Sequence, residues 1–204
     1  MKNRNEGSGM VLSWTVLAIA MSLLSAISAT AQQNDVVTEK NWEQHPKIVA
    51  IRKIVSVTNA GLKKGSFRIA KRGLWCGGDY EADGTVVGGE GKFMRIARDV
   101  KGAVKWYEEG VGGSDSEWTY RYYYDPQGRL RFIHVTVGAV NGTQSEDRVY
   151  FDENGTLIWH AMKLLEGPGY FHPQDDDLKE MAKMDPAKDF AETPKGCKKE
   201  KWRR

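Results

Sequence analysis

The chain has 204 residues, with 30 basic and 27 acidic side chains, a formal charge of +3, 22 glycines and 2 cysteines. That length supports one ordinary domain with at most a small appendage, and 40% hydrophobic content excludes a disordered chain. Two cysteines are too few for a disulfide-dense scaffold or a four-cysteine zinc site, and so mild a charge without a clustered basic face gives no nucleic-acid partner to expect.

The first residues read as an export leader. Lys2 and Arg4 give a basic start, Val11 to Ile27 carry no charge, and Ala29-Thr30-Ala31 places small residues before Gln32. The uncharged run is shorter than the roughly 20 residues of a membrane span and holds several Ser and Thr. Residues 1–31 are therefore expected to be a cleaved signal peptide, 32–41 a flexible segment, 42–197 a single domain and 198–204 a basic tail. The mature protein is expected in the periplasm or outside the cell, with no integral membrane association after cleavage. An oxidising compartment favours a disulfide between Cys76 and Cys197.

In the mature chain a helix is expected over Pro46–Ala60. Pro46 suits its first turn, Gly61 suits the position past its end, and Ile48, Ile51, Val55 and Thr58 recur at helical spacing. Residues 63–91 are glycine-rich, with an edge strand expected before Cys76. Their glycines match neither a phosphate loop nor a dinucleotide fingerprint, so no cofactor is expected. A flexible loop is expected over 110–116.

The most informative pattern follows. Tyr123-Tyr124-Asp125-Pro126-Gln127-Gly128-Arg129-Leu130 recurs 27 residues later as Tyr150-Phe151-Asp152-Glu153-Asn154-Gly155-Thr156-Leu157, and Asp99-x-x-Gly102-x-Val104-x-Trp106 is a weaker copy. Asp accepts backbone hydrogen bonds within a type I turn and Gly supplies the left-handed residue that closes it, while the flanks alternate in period two. Asn141-Gly142 reads as a further two-residue hairpin turn. Trp118 to Met162 thus reads as a four-stranded antiparallel meander. The expected core face carries Trp118, Tyr120, Tyr122, Tyr124, Leu130, Phe132, His134, Val149, Phe151, Leu157 and Trp159, with the N-terminal helix as its cover. The expected second face carries Arg121, Tyr123, Arg131, Ile133, Val135, Glu146, Arg148, Tyr150, Ile158 and His160, in part covered by residues 63–110. A short helix is expected near Asp177–Met184, opened by Asp175-Asp176-Asp177, with another turn near Ala187–Ala191 and a chain frayed beyond Cys197. The fold class is α+β: an antiparallel meander sheet of five to seven strands, an N-terminal helix packed on one face and a short C-terminal helix.

These pieces together, with Gly138-Ala139-x-Asn141-Gly142-Thr143 and Gly167-Pro168-Gly169-Tyr170, resemble a family of small exported bacterial proteins built on Asp-x-x-Gly β-hairpins. The resemblance implies an exported bacterial origin. It brings no catalytic residues, since none are assigned in that family.

The residues offer little catalytic chemistry. The four histidines lack the i, i+4 or i, i+2 spacing of a metal site, so no metal is expected. No G-x-S-x-G elbow or EF-hand loop occurs. Asn141-Gly142-Thr143 and Asn154-Gly155-Thr156 match a glycosylation acceptor, but the turns account for both. The second face, with Arg121, Tyr123, Arg131, Arg148, Tyr150 and His160, has the aromatic and arginine mix of recognition surfaces. The leading expectation is a non-enzymatic binding or inhibitor-type module whose partner is a protein or an envelope component. The alternative is a hydrolase of envelope polymers or small esters using His160 or a carboxylate near the glycine-rich loop.

Overall fold

A computed structural model describes residues 36–76, 79–80, 86–87, 90–169, 172–195 and 197–200. The chain divides into a unit through Glu39 and a unit from Lys40 to Arg204. The expected signal peptide lies outside the described residues.

Helix α1 spans Pro46–Lys64. The His45 side chain caps its start by accepting from the Lys47 N–H, and buried Ile48, Ile51 and Thr58 form its inner stripe. The helix runs through Gly61, where a stop was expected, and ends at Gly65, whose φ of 71° is left-handed. Gly65 N–H bonds to Leu62 and Ser66 N–H to Gly61, the paired bonds of a glycine-terminated helix. Gly61 serves packing instead: a Cβ there would sit 2.6 Å from the Phe67 ring.

The rest is mainly sheet. Strands β1 (Arg68–Cys76), β4 (Glu90–Arg98), β5 (Val104–Gly112), β6 (Ser116–Tyr124), β7 (Leu130–Ala139), β8 (Gln144–Phe151), β9 (Leu157–Glu166) and β10 (Cys197–Glu200) form one antiparallel sheet ordered β10-β1-β4-β5-β6-β7-β8-β9. The short β2 (Asp79–Tyr80) and β3 (Val86–Val87) pair separately. The sheet thus has eight strands where five to seven were expected. Within residues 63–110, β1, β4 and most of β5 build the sheet rather than cover it, and the expected loop over 110–116 is mostly the ends of β5 and β6. Beyond Cys197 the chain continues as β10, so that Cys197 lies opposite Cys76 and the two form a disulfide.

Four hairpins turn in one way. Asp99, Asp125, Ala139 and Asp152 each accept from a glycine three residues on and donate to the carbonyl four residues on. Gly102, Gly128, Gly142 and Gly155 all have positive φ. In the three Asp turns, Oδ1 also accepts two backbone N–H groups, from Lys101 and Ala103, Gln127 and Arg129, or Asn154 and Thr156. Asn141-Gly142 is therefore the end of a three-residue loop, not the two-residue turn expected.

Each Asp turn is followed by a β-bulge that alters the face assignments. Tyr124 pairs Leu130 and Phe151 pairs Leu157, as expected, but the next pairs are Tyr123 with Phe132 and Tyr150 with Trp159. Arg131 and Ile158 are the extra residues, and every side chain beyond them changes face. Phe132, His134 and Trp159 join Arg121 and Tyr123, whereas Ile133, Val135 and His160 lie on the face with Tyr122 and Val149.

The core face therefore carries Met94, Ile96, Tyr107, Tyr122, Ile133, Val135, Val149 and Phe151. Its cover is C-terminal, not helix α1 as expected. Helices α2 (Asp175–Lys183) and α3 (Pro186–Ala191) bring Leu178, Met181, Ala182 and Phe190 onto it. Asp177 accepts from Gln174 N–H at the start of α2. Partly buried polar groups pin α3: Lys92 pairs with Glu109 at 2.7 Å and Asp189 at 3.3 Å, and Tyr107 donates to Asp189. Burial opposes the Lys92 charge, but Glu109 and Asp189 outweigh it and raise its pKa above the ordinary lysine value. Helix α1 packs against β6 and β7 on the opposite face.

Candidate functional site

The face under α1 is built in rungs, each a line of side chains opposite one another across the strands. The first rung is aromatic: Trp106, Tyr123, Phe132, Tyr150 and Trp159. Phe132 and Tyr150 ring centres are 4.9 Å apart, and Trp42 stacks on Trp159 at 5.8 Å. Helix α1 lies over this rung, where Tyr123 hydroxyl donates to Asn59 Oδ1 at 3.1 Å.

The second rung is ionic. Lys71, Arg95, Glu108, Arg121, His134 and Arg148 lie opposite one another in turn across β1, β4, β5, β6, β7 and β8. Glu108 is 1% exposed and takes Arg95 on one oxygen and Arg121 Nε on the other. A buried carboxylate needs such pairing, because alone it would forfeit its hydration. Arg95 also sits 5.5 Å above the Trp106 ring. Glu146, one step along, accepts from Arg148 at 2.7 Å and lies 3.3 Å from His134 Nε2. Burial lowers the His134 pKa below the ordinary histidine value; Arg121 and Arg148 act the same way, and Glu146 opposes them.

Beyond the ionic rung the floor drops. Gly73, Phe93, Gly110, Thr119, Thr136 and Glu146 form the third rung, and Trp75, Gly91, Gly112, Glu117, Gly138 and Gln144 the fourth. Glycines leave the sheet bare, which opens a groove of about 1050 Å³ between the hairpin tips at 113–116 and 139–143. The Phe93 ring lies over Gly110, where a Cβ would come within 1.9 Å of it. The Trp75 ring lies against Gly91.

Of the six residues expected to share a face, the structure brings Arg121 and Arg148 to the same rung, two strands apart. Tyr123 and Tyr150 are next to them but buried, at 4% and 1% exposure, Tyr123 against Asn59 of α1 and Tyr150 against the Trp42 ring. Arg131 is a buried bulge residue that donates to the Phe151 carbonyl and pairs with Asp125 and Glu153. His160 is on the core face, with Nε2 3.0 Å from Asp147 Oδ1. Sequence reasoning missed Arg95, Glu108 and His134 as members of the ionic rung. The weaker Asp99 copy was the available signal, because the same turn and bulge place Arg95 opposite Glu108.

On the core face Asp147 is fully buried, and His160 and His172 meet edge-on at 6.5 Å. Among the described residues no three His, Cys, Asp or Glu side chains converge as a metal site would require. No helix among them is long and apolar enough to cross a membrane. The Cys76–Cys197 bridge fits an oxidising compartment. No known protein family matches the chain, and no curated protein or solved structure does either.

Proposed function

We propose that this chain is an exported, non-enzymatic binding module, periplasmic or secreted after removal of residues 1–31, that recognises an acidic partner from the cell envelope through its ionic rung. The leader pattern, the disulfide and the resemblance to exported hairpin proteins support export. The observation that carries the binding reading is Glu108. Buried between Arg95 and Arg121, it holds both guanidinium groups in place, while their side chains stay 42% and 30% exposed. Arg148, held by Glu146, is 45% exposed on the same rung. A guanidinium carries five donors, and a carboxylate that takes one or two leaves the others for a ligand. Preorganised arginines give up little rotamer freedom on binding.

The test is capture from an envelope fraction by the immobilised full chain. Arg148→Glu should sharply reduce the captured partner without changing the thermal unfolding midpoint, and Arg121→Gln should reduce it at some cost in that midpoint, because Glu108 loses one of its two charged partners. Undiminished capture would remove the rung from the site.

A second reading, hydrolysis of envelope polymers or small esters, has one observation in its favour. Buried Asp147 orients His160 in the way a carboxylate orients a general base. Turnover of a model ester or glycan that disappears in His160→Ala would favour it over the binding reading.

A further inference from the structure

The groove between the hairpin tips at 113–116 and 139–143 has a chemistry distinct from that of the ionic rung. Its floor carries the rings of Phe93 and Trp75. The Phe93 ring fills the place a side chain at Gly110 would take, and the Trp75 ring lies against Gly91. Thr119 and Thr136 stand opposite each other across β6 and β7 and line the same floor. Thr119 is 8% exposed, and its hydroxyl has no hydrogen-bond partner among the described residues. A hydroxyl so enclosed ordinarily finds a partner within the fold, and the groove is the side left to this one.

Charge restricts the occupant. Asp115 and Glu117 stand exposed on the rim. Among the described residues of the lining only Lys92 is basic, and its ammonium is engaged on the core face by Glu109 and Asp189. A nucleic acid or a polyuronate would carry its anions past two carboxylates with no cation to meet them. A peptide binding by strand addition needs a free sheet edge, but the groove lies over β4 to β8, whose ladders are filled on both sides. An uncharged sugar chain suits each of these features. Its C–H faces stack on aromatic rings, and its hydroxyls donate to carboxylates and pair with threonine hydroxyls. The groove, about 1050 Å³, has room for several sugar units.

We propose that the groove binds an extended uncharged glycan, with sugar rings against Phe93 and Trp75 and sugar hydroxyls on Thr119, Thr136 and the rim carboxylates. The site is separate from the ionic rung and does not depend on the rung's role. Two variants isolate it. Thr119→Val keeps the side-chain shape and removes only the hydroxyl. Because that hydroxyl has no partner in the fold, the unfolding midpoint should hold or rise. Gly138 lies in the floor, its φ is not left-handed, and a Cβ there has nothing within 4 Å. Gly138→Trp therefore places a large ring in the groove without disturbing the core.

The probes for isothermal titration of the full chain are cellohexaose, chitohexaose and maltohexaose, with hexagalacturonate and hexalysine as charged comparisons. At least one uncharged hexamer should bind about tenfold or more tightly than either charged one. Gly138→Trp should weaken that binding by about tenfold or more, and Thr119→Val by about threefold, both at an unfolding midpoint no lower than that of the wild type. Lack of binding by all three uncharged hexamers would overturn the inference, as would indifference to Gly138→Trp. Equal or tighter binding of hexalysine or hexagalacturonate would overturn it too, by making the groove a site for a charged polymer. Envelope capture by the Arg148→Glu chain reads the ionic rung alone, so failure of one site leaves the other standing.

Discussion

His134 shows how one residue takes its character from its neighbours across the strands. Arg121 and Arg148 flank it on the ionic rung, and Glu146 faces its ring. Burial and the two guanidinium groups hold its pKa below the unfolded value. The folded state therefore binds the proton less readily than the unfolded chain. The stability His134 contributes is present above the unfolded pKa of about 6.5 and is lost as pH falls through the lower folded value. The unfolding midpoint of the protein should drop between pH 7.5 and 5.0 by more than that of a His134→Gln variant. Parallel profiles for the two proteins would show that His134 does not titrate in this environment. The sequence identified His134 as a candidate buried histidine, but its face could not be known without the bulge at Arg131.

At the level of the hairpin, the bulge residue has a job. It stands six positions after each Asp: Lys105, Arg131 and Ile158. Lys105 reaches the carbonyls of Asp125 and Pro126 in the next turn, at 3.4 and 3.3 Å. Arg131 likewise reaches the Phe151 carbonyl at 3.1 Å and Glu153 in the turn after its own. Strand β9 has no following hairpin, and its bulge residue is the apolar Ile158. Basic bulge residues thus tie each turn to the next. Asp125 shares in this: burial opposes its charge, but the Arg129 N–H and guanidinium outweigh burial and hold its carboxyl below the ordinary range. Arg131→Ala should cost about 2–3 kcal/mol in urea unfolding, because a buried guanidinium with several bonds is lost. Arg148→Ala, on the surface, should cost at most about 0.5 kcal/mol. Equal effects would refute the clasp. Turn positions were legible in the sequence because Asp and Gly act within five residues. The bulges were not, because the extra residue is accommodated by a ladder whose other half is a distant segment.

The unit from Lys40 onward is built on a sheet with two apolar faces and separate covers. Helix α1 covers the aromatic rung, and α2 and α3 cover the core face with Leu178 fully buried. The Cys76–Cys197 bridge, with 121 residues of sequence separation, anchors β10 and hence the segment that follows α3. In the chain-entropy picture, closing so long a loop contributes about 4–5 kcal/mol at the upper end. A Cys76→Ser, Cys197→Ser variant should unfold at distinctly lower urea concentration than the oxidised protein, and reducing agent should lower the wild type alone. An unchanged midpoint in the variant would mean that β10 and α3 hold without the bridge.

The antiparallel class, the turn positions, the N-terminal helix and the disulfide partners were readable from residues alone, because each depends on local hydrogen bonding, periodicity or a count of two cysteines. Only the tertiary structure decided which side chains share a face and which helix covers it. A single bulge residue reverses every position beyond it, and both faces were apolar enough to need a cover. The ionic rung and the glycine-floored groove follow from that choice, since they exist only once strands from residue 68 to residue 151 stand in register.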